Sequence, residues 1–258
     1  MVRTYLVLTG LVLCVISNAA ADDLCGATIL EDLKLDHDVT CTGNGLIVGA
    51  DGIKLNLQGH TVAGSGSGTG INVTGRHDVS IFGGTIRNFL AGVLVRESIG
   101  VVIKDNELVA NGDGVDLQAN AVANTVKGNR FQDNLLRGIM SRSFSSANTI
   151  KDNTFTGDRV GILLFGARNS TVKDNTLSFN IFAGIRINVI AGDNLVQGNT
   201  VTASPAGIEF LITPTGSSIG NTLRENTIAL NTCGLKGPTA GNTLTENVFD
   251  GNASDTCS

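Results

Sequence analysis

Residues 148–162 read NTIKDNTFTGDRVGI, and the phrase returns with small changes at 124–139, NTVKGNRFQDNLLRGI, and at 169–185, NSTVKDNTLSFNIFAGI. A phrase rewritten this often either performs chemistry or forms the joint of a scaffold. Its spacing decides between the two. Glycines followed by an apolar residue stand at Gly45, Gly70, Gly92, Gly114, Gly138, Gly161, Gly184, Gly207 and Gly234, at intervals of 25, 22, 22, 24, 23, 23, 23 and 27 residues. A second marker, Asn106, Asn129, Asn153, Asn175, Asn199, Asn226 and Asn247, keeps the same period. A constant period of this length is the signature of a solenoid.

Within each repeat, apolar residues alternate with polar ones, as a half-buried strand requires. Ile71/Val73, Val93/Val95, Val115/Leu117, Ile162/Leu164, Ile185/Ile187 and Ile208/Phe210 follow the glycines. Two further inward columns run from Ile103 to Leu244 and from Leu108 to Phe249. No segment keeps a helical period, and Asn, Gly, Ser and Thr interrupt every few residues. The pattern predicts an all-β fold, a single-stranded parallel β-helix of about nine coils with a period near 23 residues. The Asn column then reads as a corner. An inward Asn can satisfy both a backbone N–H and a C=O where the chain turns, and can bond its neighbours along the rod.

The lead-in LIVGADGIKLNLQGHTVAG together with the GI…NTxxxNxF…N repeat resembles the right-handed parallel β-helix repeats of the pectin-lyase-like superfamily, closest to its NosD-like branch of carbohydrate-binding and sugar-hydrolase domains. The resemblance spans about residues 45–257. It implies a right-handed coil and an activity drawn from polysaccharide lyases, hydrolases, epimerases or binding proteins.

The ends of the chain carry their own signals. Residues 1–21 have a basic start at Arg3, an apolar run from Tyr5 to Ile16 and Ala19-Ala20-Ala21, the three-part form of a cleaved secretory signal. That run is too short to span a bilayer, so no membrane insertion is expected after cleavage. Residues 22–44 are expected to form an N-terminal cap and 45–258 the β-helix. The expected destination is extracellular or periplasmic. An even set of four cysteines, Cys25, Cys41, Cys233 and Cys257, would remain in an oxidising compartment. Cys25 and Cys41 flank the segment before the first regular coil. Cys257 is expected in the column of Cys233 one coil later, so the expected bridges are Cys25–Cys41 and Cys233–Cys257.

The mature chain would carry 17 Lys and Arg against 23 Asp and Glu, a net charge of −6, without a basic tract. That excludes a nucleic-acid partner. His37, His60 and His77 form no ligand cluster in the sequence, so no metal and no cofactor are expected. Lys104, Lys127, Lys151, Lys173 and Arg224 form a cationic column, but Asp105, Asp152, Asp174, Glu225 and Glu246 beside it read as its charge balance on a solvated face.

The outward positions after each glycine are Asn72, Leu94, Asp116, Met140, Leu163, Arg186, Glu209 and Lys236, and two residues on come Thr74, Arg96, Gln118, Arg142, Phe165, Asn188 and Leu211. Candidate catalytic residues among these are Asp116, Arg142, Arg186 and Glu209. Asp116 and Arg186 lie three coils apart, about 14 Å, too far to act on one bond. Arg186 and Glu209, like Asp113 and Arg137, can also be read as plain cross-strand ion pairs. NGDGVD (111–116) and GIRIN (184–188) are similar to short motifs of polygalacturonase-like members, but the paired Asp-Asp and Gly-His-Gly of those hydrolases have no match.

Leu94, Met140, Leu163, Phe165 and Leu211 are expected as an exposed apolar binding stripe, unless a loop at Thr213–Gly220 covers it. The reading that results is an exported, monomeric rod that binds an extended polysaccharide on its outer face. The alternatives are a polysaccharide-active enzyme and a cell-surface structural or partner-binding rod.

Overall fold

The computed structural model describes residues 24–188, 190–211 and 218–258; residues 1–21, expected to be a secretory signal, and most of the expected loop at 213–220 lie outside them. The strands form three parallel sheets, one of eleven strands and two of ten, and each strand pairs with the third strand before and after it in sequence. That order is a right-handed β-solenoid of about ten turns, with three strands to each coil and a length of about 48 Å from the interstrand spacing. It exceeds the nine coils expected, because short strands at Thr28–Ile29, Leu33–Lys34 and Val39–Thr40 join all three sheets ahead of Gly45 and Ser254–Cys257 extends the largest sheet at the far end.

The register places like residues on one another. Ile103, Val126, Ile150, Val172, Val196, Leu223 and Leu244 stack in one sheet, and Leu108, Phe131, Phe155, Leu177, Val201, Ile228 and Phe249 in another. The Phe131 and Phe155 rings stack at 4.6 Å, inclined by 6°. One continuous apolar core runs the length of the rod. The recurring glycine has a steric cause. A Cβ on Gly92, Gly114, Gly138 or Gly161 would lie 2.6–2.7 Å from the carbonyl oxygen of the glycine one coil on. No side chain fits where successive backbones approach so closely.

Each coil turns three corners, and from Asn106 onward each corner uses the same device, a residue in the left-handed region followed by an inward polar side chain. At the corner read in the sequence, Asp105, Gly128, Asp152, Asp174, Gly198, Glu225 and Glu246 have φ between 55° and 64°. The acidic column thus alternates with glycine because the backbone demands a left-handed residue, for which Asp is among the better-suited side chains. It also balances charge, with Lys151–Asp152 at 3.6 Å and Lys173–Asp174 at 3.4 Å.

After it comes the asparagine ladder. Asn129 Nδ2 donates to Asn153 Oδ1 at 3.1 Å and to the Ile103 carbonyl at 2.9 Å, while Asn129 N donates to the same Asn153 oxygen at 2.9 Å. The pattern repeats from Asn106 to Asn247. Two more ladders occupy the other corners. One contains Asn124, Asn148, Ser170, Asn194, Asn221 and Asn242; the other contains Asn111, Asn134, Asp158, Asn180, Ser204, Asn231 and Asn252.

Disulfides tie Cys25 to Cys41 and Cys233 to Cys257, with Cα atoms 5.5 and 6.2 Å apart. The register of the second differs from the expected one: Cys233 pairs with Ser254, and Cys257 lies beside Lys236. Both cysteines sit on the outer side of the same sheet, so the bridge closes diagonally.

Candidate ligand-binding face

The eleven-stranded sheet differs from its companions in strand length. From Thr69–Thr74 to Ala206–Leu211 its strands are six residues long, while most strands of the other two sheets have three. Longer strands give a broader outer face, with three outward columns instead of one or two. The central column stacks Asn72, Leu94, Asp116, Met140, Leu163, Arg186, Glu209 and Lys236, as the alternation implies. Arg142, Phe165, Asn188 and Leu211 share a flanking column.

The charges gather at two places. Arg137 clamps Asp113 with Nε–Oδ1 at 2.6 Å and Nη2–Oδ2 at 3.0 Å, and Arg142 clamps Asp116 at 3.1 and 2.7 Å through the corresponding atoms. Burial raises the pKa of Asp113 above the ordinary carboxylate value although the Arg137 hydrogen bonds oppose it. The hydrogen bonds it donates to Asp116 hold the Arg142 guanidinium above its ordinary value. Three strands on, Arg186 Nε reaches Glu209 Oε2 at 2.6 Å and Lys236 Nζ reaches Glu209 Oε1 at 3.0 Å. Asp116 and Glu209 are only 4% and 3% exposed.

The structure therefore divides the four candidate catalytic residues into Asp116–Arg142 and Arg186–Glu209. It also occupies both oxygens of each carboxylate with cations. A general base or nucleophile must reach substrate, whereas these carboxylates are nearly buried and each oxygen already contacts an arginine or lysine.

Between the two clusters, the expected apolar stripe is only partly exposed. Met140 and Leu163 are 7% exposed and form a small cluster with Val160 outside the main core, contrary to their expected exposure. Each is flanked in its column by another long side chain, Asp116 and Leu163 for Met140, Met140 and Arg186 for Leu163, so the column covers itself. Leu94 and Leu211 are half-buried, and Phe165 is 38% exposed.

Beside Leu163 opens a cavity of about 350 Å³, lined by Leu136, Arg137, Arg159, Val160, Leu163, Phe182 and Arg186. Arg159 and Phe182 come from the corner before the glycine and project from it. The Arg159 guanidinium lies 4.7 Å from the centre of the Phe182 ring. Among the described residues no carboxylate comes within 4 Å of Arg159, whereas Arg137 and Arg186 each have one. With Lys236 also on Glu209, the surroundings of the cavity are net positive on a chain whose formal charge is −5. Arg159 and Phe182 escaped the sequence reading because they occupy the irregular residues between ladder and glycine, where no column repeats.

Among the described residues, no three His, Cys, Asp or Glu side chains gather as a metal site. His60 Nδ1 lies 3.3 Å from Asp38 Oδ1 and His37 Nδ1 2.5 Å from Asp36 Oδ1, both far along the chain from this face. No helix among these residues is long and apolar enough to cross a membrane.

The family described as "Right handed beta helix region" matches residues 69–228 and 137–257. Among solved structures, an alginate lyase from Paenibacillus sp. str. FPU-7 superposes with a TM-score of 0.70 at 15% identity, covering 88% of this chain and 99% of that one. The periplasmic alginate epimerase AlgG gives 0.63 at 14% identity, covering 85% and 73%. The tailspike protein of E. coli bacteriophage HK620, in complex with pentasaccharide, gives 0.59 at 13%, covering 90% and 57%. At such identities the likeness is one of fold. A comparison with curated protein sequences gives no match.

Proposed function

The chain belongs to the right-handed β-helix family, and from that premise we propose that it is an exported, monomeric protein that binds an extended acidic polysaccharide along the outer face of its eleven-stranded sheet. The observation that carries this reading is the arginine cavity. Arg159, without a carboxylate partner among the described residues, stands over an apolar floor of Val160 and Leu163 beside the Phe182 ring. A pyranose ring offers an apolar face and a polar edge. An acidic sugar adds a carboxylate that a guanidinium recognises in bidentate fashion. From Asp113 to Lys236 the face covers five coil steps, about 24 Å, so a polymer can lie along several coils at once. Names given to similar folds, an alginate lyase, an alginate epimerase and a tailspike with a pentasaccharide, support a polysaccharide as the ligand. The occupied carboxylates support binding over turnover. The signal-like residues 1–21 and the two disulfides support export.

The test is co-sedimentation of the oxidised protein with alginate, polygalacturonate and dextran at low and high salt, with ultraviolet absorbance and reducing ends followed in parallel. The expected result is retention on the acidic polymers, lost at high salt and weakened at least fivefold by Arg159→Ala. Equal retention on dextran, or retention untouched by Arg159→Ala, removes this cavity as the site. Cleavage of an acidic polymer would make the protein a polysaccharide-active enzyme. A blank panel would favour a structural or partner-binding rod.

A further inference from the structure

The ladder at the corner beside the arginine cavity is interrupted at one rung. Asn111, Asn134 and Asn231 each donate Nδ2 to a backbone carbonyl of the preceding coil, those of Ile86, Leu108 and Val201, at 3.0 Å. The rung after Asn134 is Asp158, which is 0% exposed. Its Oδ1 does what an asparagine oxygen does, accepting from Asn134 N at 2.8 Å and from Asn134 Nδ2 at 2.7 Å. Its Oδ2 takes the place of the amide nitrogen and has no partner. By register with Leu108, the carbonyl owed a donor there is that of Phe131. The following rung, Asn180, has neither amide atom bonded. Three buried polar atoms without partners thus meet at a single corner.

A carboxylate oxygen facing a carbonyl in a dry corner is repelled, whereas a carboxylic acid there is a donor in the place of the missing amide. Burial above all pushes the Asp158 pKa up to about 7; the Asn134 hydrogen bonds pull it back and nearby Asp133 adds to the rise. Of the other charged groups around it, Arg159 follows it and lies against Phe182, and Arg137 on the coil before is held by Asp113. Segment 178–182 on the coil beyond has no ionisable side chain.

Asp158 is also the support of the cavity wall. Arg159 is the next residue and Phe182 lies two after Asn180. A Cβ on Gly138, next to Arg137, would stand 2.9 Å from Asp158 Oδ2. We propose that Asp158 is a proton-operated joint of the rod. Protonated, it completes the ladder and holds the Arg159–Phe182 wall in place; ionised, it opens the rung and slackens that wall, so the face binds acidic polymer less well as pH rises through neutrality. The binding half of this proposal rests on the cavity being the ligand site; the joint itself does not.

Two readouts separate the halves. Amide hydrogen exchange is followed at Asn134, whose N–H donates to Asp158 Oδ1, and at Ile181, whose N–H donates to the Asp158 carbonyl at 2.9 Å. Wild type and Asp158→Asn are compared at the same pH, which cancels the intrinsic exchange rate. Between pH 5.5 and 8.5 the wild type should lose up to about 30-fold in protection relative to the variant, the ratio set by the one and a half pH units below the midpoint and levelling off above it. Co-sedimentation with alginate at constant ionic strength should weaken over the same range in the wild type and stay constant in Asp158→Asn. Equal exchange in both proteins overturns the joint. A pH-dependent exchange with pH-independent retention overturns its coupling to the face. A pH-dependent exchange with no polymer retained at any pH leaves the joint standing and removes the binding function.

Discussion

Glu209→Gln separates a catalytic from an electrostatic role at the second charge cluster, because the two roles predict opposite signs. Glu209 is 3% exposed and holds Arg186 at 2.6 Å and Lys236 at 3.0 Å, with those cations' side chains 23% and 47% exposed. At about 3 Å and an effective dielectric of ~20, each contact is worth about 5 kcal/mol before desolvation. Removing a buried partner typically costs about 3–5 kcal/mol, and the half-exposed Lys236 lowers this through solvent screening. The expected loss is about 2–4 kcal/mol of unfolding free energy in urea at pH 7. Glu209→Gln with Lys236→Met should recover part of it, because one of the two unneutralised cations is gone.

The same substitution leaves one extra positive charge beside the arginine cavity. At ~6 Å in water that is worth about 0.7 kcal/mol, or roughly a threefold gain in affinity for an acidic polymer, and the gain should vanish at about 0.5 M salt. The assays are urea unfolding and co-sedimentation with alginate at two salt concentrations. Weaker binding by a stably folded Glu209→Gln would refute the charge argument. A stability change under about 0.5 kcal/mol would show that the buried pair does not hold the face together.

Asn153→Ala removes a rung from the middle of its ladder and leaves Asn129 N–H and the Val126 carbonyl without partners, so it should cost about 3–5 kcal/mol. Asn247→Ala, on the half-exposed last rung, should cost about 1–2 kcal/mol by the same unfolding measurement. For Asp158, the folded-state pKa of about 7 lies above the usual 3.8, so its contribution is fully present below pH 3.8 and is lost as pH rises towards and through 7. The loss has an upper bound of about 4 kcal/mol, and the unfolding free energy of Asp158→Asn measured from pH 5 to 9 should exceed the wild type by an amount that grows up to about pH 7 and levels off above it. Replacing Cys233 and Cys257 by serine opens a loop with a sequence separation of 24 residues. It should cost about 3 kcal/mol, read as a lower unfolding midpoint than that of the oxidised protein.

The architecture was legible because a solenoid writes its geometry into one dimension. A residue's neighbour above is the residue about 23 places on, so period alone yields register, inward columns and the Asn106–Asn247 ladder. The other two ladders were equally present in the sequence. They are harder to see because Ser170, Asp158 and Ser204 replace asparagine at single rungs, and serine can accept the same hydrogen bond. The outward columns were also legible, including the contacts of Asp116 with Arg142 and of Arg186 with Glu209.

Three-dimensional structure was needed wherever a corner departs from the repeat or a side chain reaches across strands. Periodicity states which way a residue points but not whether its neighbours cover it, so Met140 and Leu163 read as exposed when they are buried. It aligned Cys257 with Cys233, whereas the sheet register puts Ser254 there and closes the bridge on the diagonal. Arg159, Phe182 and the solitary carboxyl of Asp158 belong to stacked, irregular corners, and only the folded chain sets Arg159 and Phe182 together beside Leu163. A repeating sequence determines the rod, because the same local contacts recur at every step. The proposed binding face lies where the repeat is broken, and its contacts exist only once the coils are stacked.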